Sequence, residues 1–424
     1  MLPNSNSSIF RNILTLIAGS FFAKLIAVLS IPVITRIYSP EDMGGLSMFI
    51  AIVSILIPIA TLRYNVAIPL PKSERQASSI LQLCLLINLM FFLLLTVIIV
   101  FFNDEFNSLI NFDFSFYILI LIPVAVFGAG IYETFESYAS RNKEFKLIAK
   151  TKIYQSVSGN FAKIFLGYMG AGVLGLVLGH VITLVGGLSK FYFKFKSHSD
   201  LLTLNRKFLV KVSKKYASFP IYRLPSQFIL IFSGKAPLLF FGVYYSSYEA
   251  GQLGLSLMCL AFPISLIATS AGQAFYSEIA KLGKSNPSKT LDITRTLFLK
   301  MLLVGFIPTF ILMYFSQNIF VIAFGEKWRD AGVFTEILSV YILFQFVSTP
   351  LVSVLNVYSK QKVFLILNLF KAFFIFCVFS TAFIFEFTAE LTLSVYSIVM
   401  SVNYIFTTIF VFYIVKSKIG EVKS

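Results

Sequence analysis

The chain lacks most of what a water-soluble enzyme needs. Of its 424 residues only 13% are charged, about half the share usual in globular proteins, so a solvated surface cannot be covered. Acids are the scarcer sign, 19 against 35 basic residues. The three cysteines, Cys84, Cys259 and Cys377, sit in separate apolar runs, and there are only two histidines. Such spacing excludes a disulfide framework and a zinc-type ligand set. No G-x-x-x-x-G-K-[ST] loop is present, so nothing here would hydrolyse a nucleotide. No nucleophile–base constellation stands out. The sequence therefore assigns no catalytic residue, no metal and no cofactor, and it reads as a non-enzyme.

What abounds is apolar. Hydrophobic residues make up 57% of the chain, and the mean hydropathy is +0.84. Twelve stretches approach the roughly 20 residues that cross a bilayer as a helix. They cover 12–35, 43–62, 78–102, 114–139, 151–170, 172–193, 217–243, 251–275, 295–316, 332–356, 363–385 and 391–415. The first is too long for a signal-peptide core and no small-residue cleavage site follows it, so it reads as a retained helix.

Charge sorts by side once the N-terminus is placed in the cytoplasm. The inner stretches then hold Arg63, Lys72 and Arg75, the run from Arg141 to Lys152, and the run from Lys190 to Lys215. Further along they hold Lys281 to Lys300, Lys360 and Lys362. The outer loops hold only Arg36, Lys327 and Arg329, beside acids such as Asp104, Glu105, Asp113, Glu249, Glu386 and Glu390. The positive-inside rule thus supports twelve spans with both termini inside. The net charge of +16 follows from that orientation and does not call for nucleic acid as a partner. Residues 194–215 read as a short amphipathic linker.

An internal repeat divides the chain. An offset of 207 lays YSPEDMGGL, from Tyr38, on YSSYEAGQL, from Tyr245. An offset of 208 lays Asn160 and Lys163 on Asn368 and Lys371. Lys24 falls one helical turn from Lys235 under the same comparison. Each half has an even number of spans, so the repeat is parallel, with halves 1–200 and 201–424. The expected fold is all-α and integral to the membrane, with two six-helix bundles related by a pseudo-two-fold axis along the membrane normal. Substrate would bind between the halves.

Five basic residues lie inside spans: Lys24, Lys163, Arg223, Lys235 and Lys371. Intramembrane charges are costly and usually face a partner or a watery cavity. Clearly intramembrane acids are limited to Glu133 and Glu136, too few to pair them all. A cationic cavity for a polyanion is the functional reading, with Arg223 also placed to meet lipid headgroups. Glu133 and Glu136 are candidates for proton coupling, set against a structural salt bridge to the nearby Arg141 and Lys143. His180, among small residues, reads as a packing histidine. The prolines Pro220, Pro225 and Pro237 read as bending points.

Four stretches carry a family resemblance: LRYNVAIPLPKSERQA at Leu62–Ala77, FPIYRLP at Phe219–Pro225, Gly251–Phe275 ending in AFPISLIATSAGQAF, and FGEKWRDAG at Phe324–Gly332. In these the chain resembles the oligosaccharide flippases of the polysaccharide transporter group, O-antigen flippases among them. The resemblance implies the superfamily that also holds MATE-type multidrug exporters and lipid II flippases. It implies a bacterial inner (plasma) membrane protein that moves an undecaprenyl-diphosphate-linked oligosaccharide outward by alternating access, for O-antigen (lipopolysaccharide) or another surface polysaccharide. Membrane lipids, a polysaccharide polymerase and a chain-length regulator would be its partners. The alternative within the superfamily is a cation-coupled multidrug exporter, whose cavity would be acidic where this one is basic.

Overall fold

The computed structural model describes residues 5–110, 114–195, 206–283, 286–358 and 360–423, and every regular element among them is helical. The main helices are α1 (Ser5–Ile37), α2 (Pro40–Ala60), α3 (Glu74–Phe101), α4 (Phe116–Arg141), α5 (Phe145–Tyr168) and α6 (Gly172–Phe195). They continue as α7 (Phe219–Tyr245), α8 (Ser247–Leu282), α9 (Pro287–Phe324), α10 (Glu326–Val357), α11 (Gln361–Ile384) and α12 (Ala389–Lys423). All but α5 are long and apolar enough to cross a membrane. At about 36 Å α5 has the length as well; Lys146, Lys150, Lys152 and Lys163 dilute its apolar content. Its break from α6 falls where the sequence places it, at Gly170 and Gly172, both with positive φ.

Local chemistry sets several of these ends. Ser39 caps α2: its hydroxyl accepts from the Asp42 amide at 3.2 Å, while the Asp42 carboxylate accepts from the Ser39 amide at 3.0 Å. That reciprocal arrangement, with Pro40 at the first helical position, is a capping box. The repeat partner behaves alike, since Ser246 accepts from the Glu249 amide at 3.1 Å before α8. The second matched pair also agrees: Asn160 and Asn368 each donate to the carbonyl four residues back, at 2.8 and 2.9 Å.

Helix α7 is irregular at both ends. Residues Phe219–Arg223 and Phe241–Tyr245 form π-helical turns at its two ends. Pro225 has no N–H to offer the Ile221 carbonyl, so the regular ladder cannot run through the first turn. Pro237 lies inside the helical stretch between the two turns.

By compactness the chain divides into Met1–Gly251 and Gln252–Ser424. The boundary at 200/201 expected from the repeat lies outside the described residues, as does most of the linker's first half. In the first unit the core gathers Tyr64, Ile80, Tyr138, Phe191, Phe195 and Tyr216. The amphipathic helix Arg206–Lys215 lies against α3 there, with Arg75 stacked 4.0 Å above the Phe208 ring and Lys215 donating to Gln76 at 3.2 Å. In the second unit the core runs through Phe275, Met301, Phe346, Leu351 and Val411. Trp328, the sole tryptophan, is fully buried there.

Candidate functional site

Two of the five intramembrane cations come together in the first unit. Lys163 on α5 and Lys235 on α7 both lie within Coulombic reach of His180 on α6. Helices α5 and α6 approach closely because Gly179 has no side chain where the aliphatic stem of Lys163 passes, and Gly159 has none opposite Thr183. The Tyr38 hydroxyl donates to the Lys163 carbonyl at 2.7 Å, tying the end of α1 to α5. His180 also meets Phe49 edge to face, 6.3 Å between ring centres. Among the described residues neither Lys163 nor Lys235 pairs with a carboxylate. Two ammonium groups thus act on one imidazole, and intramembrane charges of this kind are costly unless compensated. His180 therefore belongs to this group as well as to the helix packing expected of it.

Lys24 is placed elsewhere. It is exposed on α1, within Coulombic reach of Lys152 on α5. The α1–α5 contact beside it is close, with the Ser156 hydroxyl donating to the Ala23 carbonyl at 2.6 Å. Lys152 in turn pairs with Glu136 at 2.8 Å. In the second unit the Lys371 ammonium donates to the Tyr404 hydroxyl at 2.8 Å and lies 5.1 Å from that ring's centre. Tyr404 stacks on Tyr341, which meets Tyr396 edge to face at 5.6 Å.

Glu133 and Glu136 are both ion-paired, but not with the partners the sequence suggested. Glu133 lies 3.6 Å from Arg63 and Glu136 pairs with Lys152. Arg141 turns away to Glu74, at 3.2 Å, and to the carbonyls of Pro69, Pro71 and Lys72. The carboxylates share one face of α4, yet α4 meets different neighbours along its length, which a one-dimensional spacing does not reveal.

Arg63 carries a second cluster. The chain leaves α2 through Leu62 and Arg63, both left-handed at φ 45° and 59°, a conformation that costs non-glycine residues about 1–3 kcal/mol each. The following turn is braced by Arg141 and by Tyr64, whose hydroxyl donates to the Ser213 carbonyl at 3.0 Å. Arg63 is thereby held towards Glu133 and towards Gln227 on α7, 3.4 Å from its side-chain oxygen. Burial pulls the Arg63 pKa below its usual value; Glu133 opposes that effect and Arg223 adds to it. The LRYNVAI and FPIYRLP stretches, separate in sequence, meet at this point.

A largely apolar cavity of about 130 Å³ occupies the second unit, lined by Pro263, Ile264, Pro308, Leu343 and Phe346 together with Thr309 and Ser339. No intramembrane cation reaches it.

Three comparisons bear on what this arrangement belongs to. No match to a curated protein was found. Among solved structures, the lipid II flippase MurJ in an inward closed conformation is similar at TM-score 0.74, with 13% identity over 95% of this chain and 87% of that one. An inward-facing multidrug resistance MATE family transporter of the MOP superfamily follows at TM-score 0.68, 14% identical over 94% of this chain and 95% of that one. A MOP superfamily transporter from Pyrococcus furiosus aligns at TM-score 0.59, 14% identical, over 97% and 96%. At such identities the likeness establishes the fold, twelve membrane helices in two six-helix bundles. The sequence profile described as Polysaccharide biosynthesis protein matches residues 33–333, most of the chain, and the chain belongs to that family.

Proposed function

We propose that the chain is a flippase for an undecaprenyl-diphosphate-linked oligosaccharide. It would carry the repeat unit from the cytoplasmic to the outer leaflet of a bacterial inner membrane, for O-antigen or another surface polysaccharide. The observation that supports this most is the Lys163–His180–Lys235 group, cationic and without a described carboxylate, inside a polysaccharide biosynthesis protein. A diphosphate entering a low-dielectric path needs compensating charge, and lysine ammonium groups offer it as mobile point charges.

Lys24, Lys371 and Arg223 extend the cationic path in this reading, with the repeat halves 1–200 and 201–424 rocking to alternate access and both termini cytoplasmic. A polysaccharide polymerase and a chain-length regulator act on the product. Glu133 and Glu136 serve coupling only by breaking the ion pairs they hold with Arg63 and Lys152, so protonating either carboxylate frees a cation for the substrate. A drug exporter needs the opposite polarity along its path.

The test is a deletion strain with a labelled repeat unit. Lipid-linked single units are expected to accumulate on the inner leaflet, drug susceptibility should not change, and K235A or K163A at normal membrane abundance should fail to restore surface polysaccharide. Full complementation by both variants would overturn the site, and accumulation on the outer leaflet would overturn the flippase assignment.

A further inference from the structure

Arg63 is a partly buried guanidinium whose hydrogen-bonding capacity is largely unused. One terminal nitrogen lies 3.6 Å from Glu133, too far for a hydrogen bond, and the same carboxylate oxygen accepts from the Asn65 amide at 2.9 Å. The other terminal nitrogen reaches Gln227 at 3.4 Å, and the buried Nε has no partner. A guanidinium at rest in a finished ion pair makes short, paired contacts with its carboxylate. This one has none.

The backbone holds it there against its own preference, since Leu62 and Arg63 are both left-handed without being glycine. Strain of that kind, sustained by a braced loop, marks sites that are kept ready. A second arginine, Arg223, stands close enough to act electrostatically on Arg63, is exposed, and leaves from the π-helical turn of α7. The cluster thus holds two guanidinium groups and one carboxylate, with donors to spare.

We propose that Arg63 and Arg223 form a diphosphate-receiving site at the basic end of the first unit, and that the anion binds by taking Arg63 from Glu133. This rests on the flippase reading and adds to it a first contact, distinct from the Lys163–His180–Lys235 group. Glu133 is then a competitor that keeps Arg63 placed while the site is empty. A phosphate group offers the planar fork two oxygens at short range, where Glu133 stands 3.6 Å away. The chemistry is that of a diphosphate ester, whether on a prenyl lipid or free in solution.

Equilibrium binding of farnesyl diphosphate to the purified full-length chain tests this, with farnesol and inorganic pyrophosphate as parallel probes. R63Q and R223Q are expected to weaken farnesyl diphosphate binding roughly tenfold each, the effect of losing a charge-assisted contact. R63K, which keeps the charge and loses the fork, should weaken it several-fold. E133Q should tighten it, roughly three- to tenfold, because the competing charge is gone. Farnesol binding should not respond to any of these variants. If the site reads diphosphate alone, pyrophosphate follows the same order; if the prenyl chain contributes, pyrophosphate binds more weakly in the same order.

A merely structural ion pair predicts the opposite sign for E133Q, so binding that is unchanged or weaker in an E133Q protein of normal thermal stability overturns the inference. Should R63Q fail to fold, R63K and E133Q still decide it. Unchanged binding in all the variants overturns this site and leaves the flippase reading standing. Failure of the wild-type chain to bind farnesyl diphosphate at all overturns both.

Discussion

At the scale of single residues the informative feature is charge without a counter-charge. A lysine inside an apolar run contrasts with its neighbours, so Lys163, Lys235 and Lys371 were legible from sequence alone. Arg63 was not, because it follows the apolar run and counts as an ordinary loop cation until the left-handed turn at Leu62 and Arg63 is seen. No glycine or asparagine announces that turn. Lys371 permits a sharp check of the physics. Its ammonium is held by the Tyr404 hydroxyl at 2.8 Å, so Y404F leaves a buried donor short of its acceptor and should cost about 1–3 kcal/mol. The double variant K371M/Y404F removes donor and acceptor together and keeps the volume, a change that is often nearly neutral. Thermal unfolding followed by the fluorescence of Trp328, which lies in the same unit, should show Y404F less stable than wild type and K371M/Y404F close to wild type. A double variant less stable than Y404F would mean that the ammonium is a structural anchor in its own right.

At the scale of elements the decisive contacts are made by glycine. A Cβ on Gly44 would strike the Ser247 carbonyl oxygen, and one on Gly251 would strike the Pro40 carbonyl oxygen. These four positions are related by the same offset of 207 that aligned the two capping segments. The repeat therefore has a physical counterpart in the first unit, where the start of α2 and the start of α8 cross symmetrically, backbone to backbone. The sequence offered the offset. It could not say that the two segments touch, because a one-dimensional match carries no distance. Alanine at either glycine gains up to about 1 kcal/mol of helix propensity, but the obstacle is backbone and cannot rotate away. Overpacking of that kind costs about 1–3 kcal/mol and should win. Gly234, with open space around its missing Cβ, is the control. Thermal denaturation should find G44A and G251A destabilised and G234A neutral or stabilised; equal behaviour of all three would mean that the crossing yields freely.

At the scale of the whole molecule two kinds of division are written into one chain. The repeat divides it by ancestry of pattern, near 200, whereas packing groups everything up to Gly251 with the first unit. The reason is visible at α7, which lies on α2 with Gly242 against Met48, so side-chain contact carries α7 across the line drawn by sequence. Helix count and all-α class were legible because bilayer thickness sets span length; the packing partners of each span were not, since apolar residues suit lipid and protein equally. Orientation is a property that the distribution of charge along the sequence predicts. Basic residues cluster at the turn between α4 and α5, where Lys143 is exposed, and Glu386 is exposed in the turn between α11 and α12. With the positive-inside rule these turns face opposite sides. K143C, in a chain whose own cysteines are replaced, should resist a membrane-impermeant maleimide in intact cells and react in inverted vesicles, and E386C should do the opposite. Labelling of both from the same side would require an odd number of crossings between α5 and α11 to be lost or gained, and α5, the least apolar of the twelve, would be the helix to re-examine. Labelling of each from the side opposite to that expected would leave the fold intact and invert the direction in which substrate is carried.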